Sequence, residues 1–130
     1  MKLNSLIPNL IVEDVNKTVD YYQNTLGFAI VTTVPESGDL EFAMLKLDAV
    51  SIMFQSHKSY VDAFPESTGQ KVGGTLFLFI DVEDLDGLYK KILEAKAEIA
   101  VDMHTTFYGT REFTIKDCDG YLLIFAENQS

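Results

Sequence analysis

Two segments of the chain carry apolar residues at the spacing of an amphipathic helix. Gly27 stands where the first helix would end, and Asp14 or Asn16 could cap its start, as Asp84 could in the second segment. The pattern therefore predicts two helices, each with one buried face. The apolar stripes are Val15, Val19, Tyr22 and Leu26 in the first helix and Leu85, Leu88, Tyr89 and Ile92 in the second.

The two helical segments belong to an internal repeat. The letters VEDV at 12–15 and VEDL at 82–85 coincide at an offset of 70 residues, each after an apolar run that is typical of a strand. A repeat of this kind indicates that the same supersecondary unit occurs twice in one chain. The sequence between the units, 57–74, has the proline, serine and glycine content of a linker.

Three segments with strand-like patterns follow each helix. They are 29–34, 41–47 and 50–56 after the first helix, and 99–102, 112–116 and 121–126 after the second. The sequence thus predicts an α+β fold of two βαβββ modules, 1–56 and 75–130, joined by the linker 57–74 within one compact domain. Each module would form a curved mixed sheet, with its helix on the convex side and the concave side available for a ligand.

The last predicted strand, YLLIFA at 121–126, is apolar on both faces and therefore has to be covered on both. The preceding DCDG, 117–120, is typical of a tight turn between two strands. We expect Tyr121, Leu123 and Phe125 to pack against the helices. Leu122 and Ile124 would then face the concave side.

Composition narrows the possible partners. The 130 residues carry a formal net charge of −10, which disfavours nucleic acid and anionic membrane surfaces and weakly favours a cationic ligand. No apolar run approaches the length of a membrane span, and no secretory signal is visible at the amino terminus. The single cysteine, Cys118, excludes a disulfide within one chain and leads us to expect a cytoplasmic protein.

The opening VEDVNKTVDYYQNTLGF and the closing REFTIKDCDGYLLIFAE resemble the motifs of the vicinal-oxygen-chelate superfamily. This superfamily includes glyoxalase I, extradiol dioxygenases, fosfomycin-resistance enzymes and bleomycin-resistance proteins. The resemblance covers essentially the whole chain, with Cys118 where the family usually has proline. It implies paired βαβββ modules, and in metal-dependent members it implies one metal ligand from each of four strands.

The four positions that match the family's metal ligands lack suitable donors. They are occupied by Ile7, Met53, Phe77 and Ile124. Divalent cations of this kind require oxygen or imidazole nitrogen, and the thioether of Met53 is a weak donor. The two histidines, His57 and His104, fall outside these positions. The resemblance is therefore closest to the metal-free bleomycin-resistance branch, with no metal, no cofactor and no catalytic residue expected.

The expected ligand cavity is apolar with a few polar groups. Its apolar lining would consist of Ile7, Met53, Phe77, Phe79, Leu122 and Ile124. Asn9 shares a strand face with Ile7, and Arg111 and Glu112 are further polar candidates unless they form an ion pair with each other. Phe107 or Tyr108 stands where bleomycin-resistance proteins carry an aromatic residue that stacks on the drug, although Tyr108 and Gly109 could equally form a simple turn.

We therefore expect a metal-independent protein that binds, and sequesters, a cationic or aromatic antibiotic or metabolite. The resemblance further implies a homodimer whose chains exchange modules, with no nucleic-acid or membrane partner. The alternative is a metal-dependent lyase, isomerase or dioxygenase with atypical ligands, in which a one-residue register slip brings Asn9 or Gln55 nearer the site. A third hypothesis is a structural or regulatory subunit whose groove receives a peptide or metabolite.

Overall fold

The computed structural model describes residues 1–73 and 76–128 of the chain. Contacts divide the chain into two compact units, Met1–Val72, termed unit 1, and Gly73–Ser130, termed unit 2. Position 74 of the expected linker and positions 75, 129 and 130 of the expected second module lie outside the described residues. Among the described residues, no helix has the length and apolar character of a membrane span.

Unit 1 forms a four-stranded mixed sheet with a helix on one face. Its strands lie in the order β1-β4-β3-β2, with β1 parallel to β4 and the other pairs antiparallel. The elements are β1 (Asn9–Val12), α1 (Val15–Tyr21), which continues as a π-helical turn (Tyr22–Leu26), β2 (Ala29–Val34), β3 (Phe42–Leu47) and β4 (Val50–Ser56).

Local chemistry explains where α1 begins and where its π-helical extension ends. The Asp14 carboxylate accepts a hydrogen bond from the backbone N–H of Lys17 at 3.2 Å and so caps the amino terminus. Gly27 ends the helical segment with a φ of +86°, a conformation that residues with a Cβ rarely adopt. The predicted stripe is buried, and the ring of Tyr22 lies 4.7 Å from that of Phe54 on β4.

Part of the segment that we expected to be a linker is helical. Helix α2 (His57–Ala63) follows β4 directly, and a short 3₁₀ turn (Pro65–Ser67) follows it. The Ser56 hydroxyl caps α2 by accepting a hydrogen bond from the N–H of Ser59 at 3.1 Å. The Pro, Ser and Gly content alone therefore gave an incomplete prediction, because Ser56, the last residue of β4, also caps a helix that begins at His57.

Unit 2 repeats the architecture of unit 1. Its strands lie in the order β5-β8-β7-β6, with β5 parallel to β8 and the other pairs antiparallel. Asp84 caps the helix of this unit through a hydrogen bond from the N–H of Gly87. The elements are β5 (Phe77–Asp81), α3 (Leu85–Glu94), β6 (Glu98–Thr105), β7 (Thr110–Lys116) and β8 (Leu122–Asn128).

The predicted α+β fold of two βαβββ modules is confirmed, with longer strands in unit 2 than the pattern suggested. Strand β6 runs to Thr105 instead of ending near position 102, and its pairing with β7 shifts register on both sides of Val101. These irregularities interrupt the period-two alternation, which is why the sequence pattern showed only the first part of the strand.

Each sheet has one face covered by its helix and an opposite, concave face. In unit 2 the helix face carries Phe113 and Ile115 of β7 with Leu123 and Phe125 of β8, all with at most 4% of their surface exposed. The ring of Tyr89 on α3 lies 4.9 Å from that of Phe113, so the helix packs directly on this layer. The expectation that alternate residues of the last strand face the helix is confirmed.

The predicted turn before β8 is present. Asp117 accepts backbone hydrogen bonds from Asp119 and Tyr121 through one carboxylate oxygen, each at 2.9 Å. Gly120 has a φ of +91°, which the turn requires. The turn fixes the alignment of β7 with β8 and therefore decides which side chains reach the concave face.

Candidate ligand-binding site

The concave face of unit 1 brings together three of its candidate positions. Asn9 is paired with Met53 in the β1–β4 ladder, and Met53 is paired with Met44 on β3. Ile7 lies two residues before Asn9, ahead of the strand, and is half-buried. The apolar side chains of this face lie beside the amides of Asn9 and Gln55. Lys46 and its cross-strand partner Ser51 share the same face, which therefore also carries polar groups.

The amides of Asn9 and Gln55 form a directed chain of hydrogen bonds. Asn9 Nδ2 donates to Gln55 Oε1 at 3.0 Å, and Gln55 Nε2 donates to the Ser59 hydroxyl on α2 at 3.0 Å. Asn9 and Gln55 thus lie on the same face as Met53 in the observed register. The one-residue slip that we invoked to bring them near the site is unnecessary, because positions 53 and 55 already share a face.

The concave face of unit 2 is organised in rows that run across its strands, because directly paired residues of neighbouring strands point to the same side. We define three rows from the ladder. The apolar row is Phe79, Ile124, Thr114 and Val101, and the acidic row is Asp81, Ala126, Glu112 and His104. The third row is Phe77, Leu122, Lys116 and Glu98.

The aromatic candidates of β5 remain accessible. Phe77 and Phe79 each expose 54% of their surface, and Leu122 and Ile124 beside them are half-buried. These four candidates therefore form one contiguous apolar surface on β5 and β8. Two adjacent, half-exposed phenylalanine side chains on a sheet are an unusual surface for a single protein chain and are typical of a site that receives an apolar partner.

Glu112 lies in the acidic row with only 7% of its surface exposed. Its Oε2 atom accepts hydrogen bonds from the Tyr108 hydroxyl at 3.0 Å and from the Thr110 hydroxyl at 2.9 Å. The Thr110 hydroxyl is in turn 2.8 Å from that of Thr106. The hydrogen bond to Glu112, followed by desolvation, raises the pKa of Tyr108, so the phenol stays protonated as a donor.

The two aromatic candidates of the β6–β7 loop differ in role. Tyr108 exposes 55% of its surface and is held by its hydroxyl on Glu112, whereas Phe107 is fully exposed. Their rings meet edge to face at 5.1 Å. Gly109 forms the turn with a φ of +93°. A turn and an accessible aromatic ring therefore coexist here, so the two interpretations of this loop are compatible.

Arg111 lies on the opposite side of the sheet from Glu112. Its guanidinium forms two hydrogen bonds to the Asp86 carboxylate in the first turn of α3, at 3.0 and 3.2 Å. The hydrogen bonds, and then the charge, of Arg111 lower the pKa of Asp86. An ion pair does form, as one expectation held, but its acidic partner is Asp86 and not Glu112, because adjacent strand residues point to opposite faces.

The residues at the four family ligand positions do not fit a metal ion. Ile7, Phe77 and Ile124 have hydrocarbon side chains, and the thioether of Met53 is unsuited to a hard or borderline cation. Among residues 1–73 and 76–128, no group of three or more histidine, cysteine or acidic side chains could hold one. The histidines are engaged elsewhere, His57 with the Gln70 carbonyl and His104 with that of Asp102.

Two further side chains of the concave faces, Asp81 and Thr110, are absent from the sequence-based candidates. Gln55 was a candidate only with a register slip. The period-two alternation identifies all three: Gln55 follows from Met53, Asp81 from Phe79, and Thr110 from Glu112. The same alternation separates Arg111 from Glu112.

Comparison with known proteins agrees with this architecture. The chain is 24% identical over 119 residues to an uncharacterized protein of Mycobacterium tuberculosis, Rv0887c, covering 90% of this chain and 70% of that protein. The crystal structure of TioX from Micromonospora sp. ML1 superimposes with a TM-score of 0.79 at 21% identity, over 96% of this chain and 98% of that one.

A glyoxalase/bleomycin resistance protein/dioxygenase from Nocardioides has a TM-score of 0.81 at 12% identity, over 100% of this chain and 87% of that chain. These likenesses establish a shared fold. The family model described as "Glyoxalase/Bleomycin resistance protein/Dioxygenase superfamily" matches residues 2–125, nearly the whole chain. The chain therefore belongs to the glyoxalase, bleomycin resistance protein and dioxygenase superfamily, the vicinal-oxygen-chelate proteins.

Proposed function

We propose that this chain is a metal-independent small-molecule-binding protein of the bleomycin-resistance type. Its ligand is an aromatic, often cationic, antibiotic or metabolite that the protein sequesters in the cytoplasm without chemical change. The observation that carries the proposal is the pair of half-exposed phenylalanines, Phe77 and Phe79, beside Leu122 and Ile124. Such a surface gains free energy when a flat apolar molecule covers it.

The side chains at the four ligand positions support the absence of metal chemistry. Where metal-dependent relatives have oxygen or nitrogen donors, this chain has Ile7, Met53, Phe77 and Ile124. A catalytic route through a metal would lose both the Lewis acid and the activated water. The same substitutions make the concave faces more apolar, so they favour binding of a hydrophobic ligand at the expense of a cation site.

We also propose that two chains associate as a homodimer by exchanging modules, as the resemblance to bleomycin-resistance proteins implies. The support is the division of the chain into two units of the same architecture. Light scattering coupled to gel filtration tests the proposal, because the dimer has twice the 14.6 kDa mass of one chain. A mass that remains that of one chain at all concentrations would contradict it.

A thermal-shift measurement tests the main proposal. The protein is treated with a chelator and then titrated with zinc, nickel, manganese and iron salts, and in parallel with flat aromatic compounds that include bleomycin-type glycopeptides. A ligand at 100 times its dissociation constant adds about 2.7 kcal/mol of stability, which raises Tm by a few degrees for a domain of this size.

The proposal predicts a rise with at least one aromatic compound and none with the metals. The variant Phe79→Ala should lose about half of the rise, because its ring would be part of the covered surface and a tenfold weaker ligand stabilises less. A clear rise with a metal would overturn the proposal in favour of a metal-dependent lyase, isomerase or dioxygenase with ligands outside the family positions. A rise with neither class would leave an apolar surface that serves another kind of partner, such as a peptide, and would equally contradict the proposal.

A further inference from the structure

We infer that Glu112 is the residue that selects the ligand's charge: its carboxylate receives a cationic nitrogen while the flat part of the same molecule lies on the apolar row. This inference rests on the proposed function and specifies its ligand class. Because of this one buried carboxylate, the protein would bind aromatic ammonium or iminium compounds more tightly than neutral or anionic ones.

The first support is the half-used hydrogen-bonding capacity of the Glu112 carboxylate. Both of its donors, the hydroxyls of Tyr108 and Thr110, bind the Oε2 atom. The Oε1 atom has no partner among residues 1–73 and 76–128. A carboxylate has about four lone-pair sites, so a side chain with 7% exposure and one unpartnered oxygen is a strong acceptor held in a fixed direction.

The second support is that no Lys or Arg side chain of residues 1–73 and 76–128 forms an ion pair with this carboxylate. The lysine of the same face, Lys116, lies in the third row, 3.8 Å from Glu98, and Arg111 is paired with Asp86 on the helix face. No ion pair with Glu112 occurs in the described part of the chain. A buried carboxylate that lacks a counter-ion is costly, and a bound cation would remove that cost.

The surroundings of Glu112 add further preference for a cation. Asp81 belongs to the same row, on the far side of the small Ala126, so the row carries two carboxylates. His104, the cross-strand neighbour, is exposed and directs its Nδ1 atom to the Asp102 carbonyl at 2.8 Å. The face of the Tyr108 ring, 55% exposed, can contact the same cation.

The acidic and apolar rows are close enough for one small molecule. They are separated by two residues along β5, β7 and β8, which is about 7 Å. Ile124 and Ala126 of β8 lie between Phe79 and Glu112 and present only hydrocarbon. A ring of two or three fused cycles on the apolar row can therefore reach the Oε1 atom with a ring nitrogen or a short ammonium arm.

The test uses two probes of nearly the same shape, 10-methylacridinium, a permanent cation, and acridine, measured in a buffer where acridine is neutral. Fluorescence titration of the whole chain gives a dissociation constant for each. We expect the wild type to bind the cation roughly tenfold more tightly, because the carboxylate attracts the positive charge even without a hydrogen bond. Glu112→Gln should abolish this ratio by weakening cation binding and leaving acridine binding unchanged.

The matched control is Glu94→Gln, which changes the net charge by the same amount at an exposed position at the end of α3. It should keep the tenfold ratio. Circular dichroism establishes that each variant is folded. Carbon-13 NMR of the wild type supplies a measurement that needs no substitution: the Glu112 carboxyl resonance should move when the cation is added and stay in place with acridine.

Each outcome distinguishes the role of Glu112 from the proposed function, which is the binding of flat aromatic molecules. Equal binding of both probes by the wild type, or an unchanged ratio in Glu112→Gln, would overturn the role of Glu112 while binding of flat aromatic molecules stands. A Glu112 carboxyl resonance that does not move when the cation is added would also overturn the role of Glu112, even if the Glu112→Gln variant failed to fold. Failure of both probes to bind would overturn the proposed function and this inference together.

Discussion

Replacing Phe79 with alanine separates ligand binding from folding, because the ring lies on the concave face. A phenylalanine side chain has roughly 200 Å² of surface, and 54% of the residue is exposed, so about 110 Å² is available to a ligand. A flat molecule covers one side of the ring, about half of that area. At about 25 cal/mol per Å² the loss is about 1.4 kcal/mol, which is a tenfold weaker dissociation constant.

The same substitution at two other phenylalanines provides the controls. Phe64→Ala removes a ring that is 50% exposed in unit 1 and packs on Tyr60, so it should leave binding unchanged. Phe113→Ala removes a ring with no exposure from the helix face and should cost about 3–5 kcal/mol of unfolding free energy. Phe79→Ala, with less than half of its surface buried, should cost at most about 2 kcal/mol.

The assay combines urea unfolding of each variant with titration of the acridinium probe. A loss of stability in Phe79→Ala as large as that in Phe113→Ala would show that the concave face is packed as a core. Unchanged probe affinity in Phe79→Ala would refute the assignment of this face as the binding surface. Either result would require a different location for the ligand.

Three further predictions concern individual contacts. The pKa of Asp86 is lowered in the folded state, so its contact with Arg111 stabilises the fold above about pH 4 and stops doing so once acid protonates the carboxyl. Arg111→Gln should therefore be less stable than the wild type in urea unfolding above about pH 4 and equally stable in acid. A difference that does not change with pH would contradict this. The raised pKa of Tyr108 means that its stabilising contact is present below about pH 10 and is lost at higher pH. Since the pKa of Tyr89 is raised as well, phenolate absorbance should show late-titrating tyrosines, of which one moves earlier in Glu112→Gln, and no such change would refute the contact. Asp14→Ala should cost about 1 kcal/mol in urea unfolding by removing the helix cap, and unchanged stability would count against the cap.

The sequence predicts the fold well because the fold depends on local signals that occur twice. The capping aspartates, Asp14 and Asp84, the apolar stripes and Gly27 mark both helices without reference to the rest of the molecule. The strand after α3 was underestimated, since its two register shifts become visible only when β7 is in place. Helix α2 was missed because Ser56 belongs both to a strand and to a helix cap.

The candidate site was less predictable than the fold. The facing of Phe79, Leu122 and Ile124 follows from alternation and was expected. The hydrogen bonds of Glu112 were not, because one donor, Tyr108, lies in a loop whose shape depends on the turn at Gly109, and the other, Thr110, begins the strand after that turn. The partner of Arg111 lies 25 residues away in sequence, on a helix whose placement depends on packing.

The alternation of core and concave-face residues along β5 and β8 makes this protein a favourable scaffold for changing ligand preference. Leu123 is fully buried on the helix face, whereas Phe77 and Phe79 each expose 54% of their surface and contribute little to the core. A library of variants at these two phenylalanines would therefore keep most of its members folded. If the concave face binds the proposed ligand, the same separation would let point mutations change ligand preference without first requiring a more stable fold.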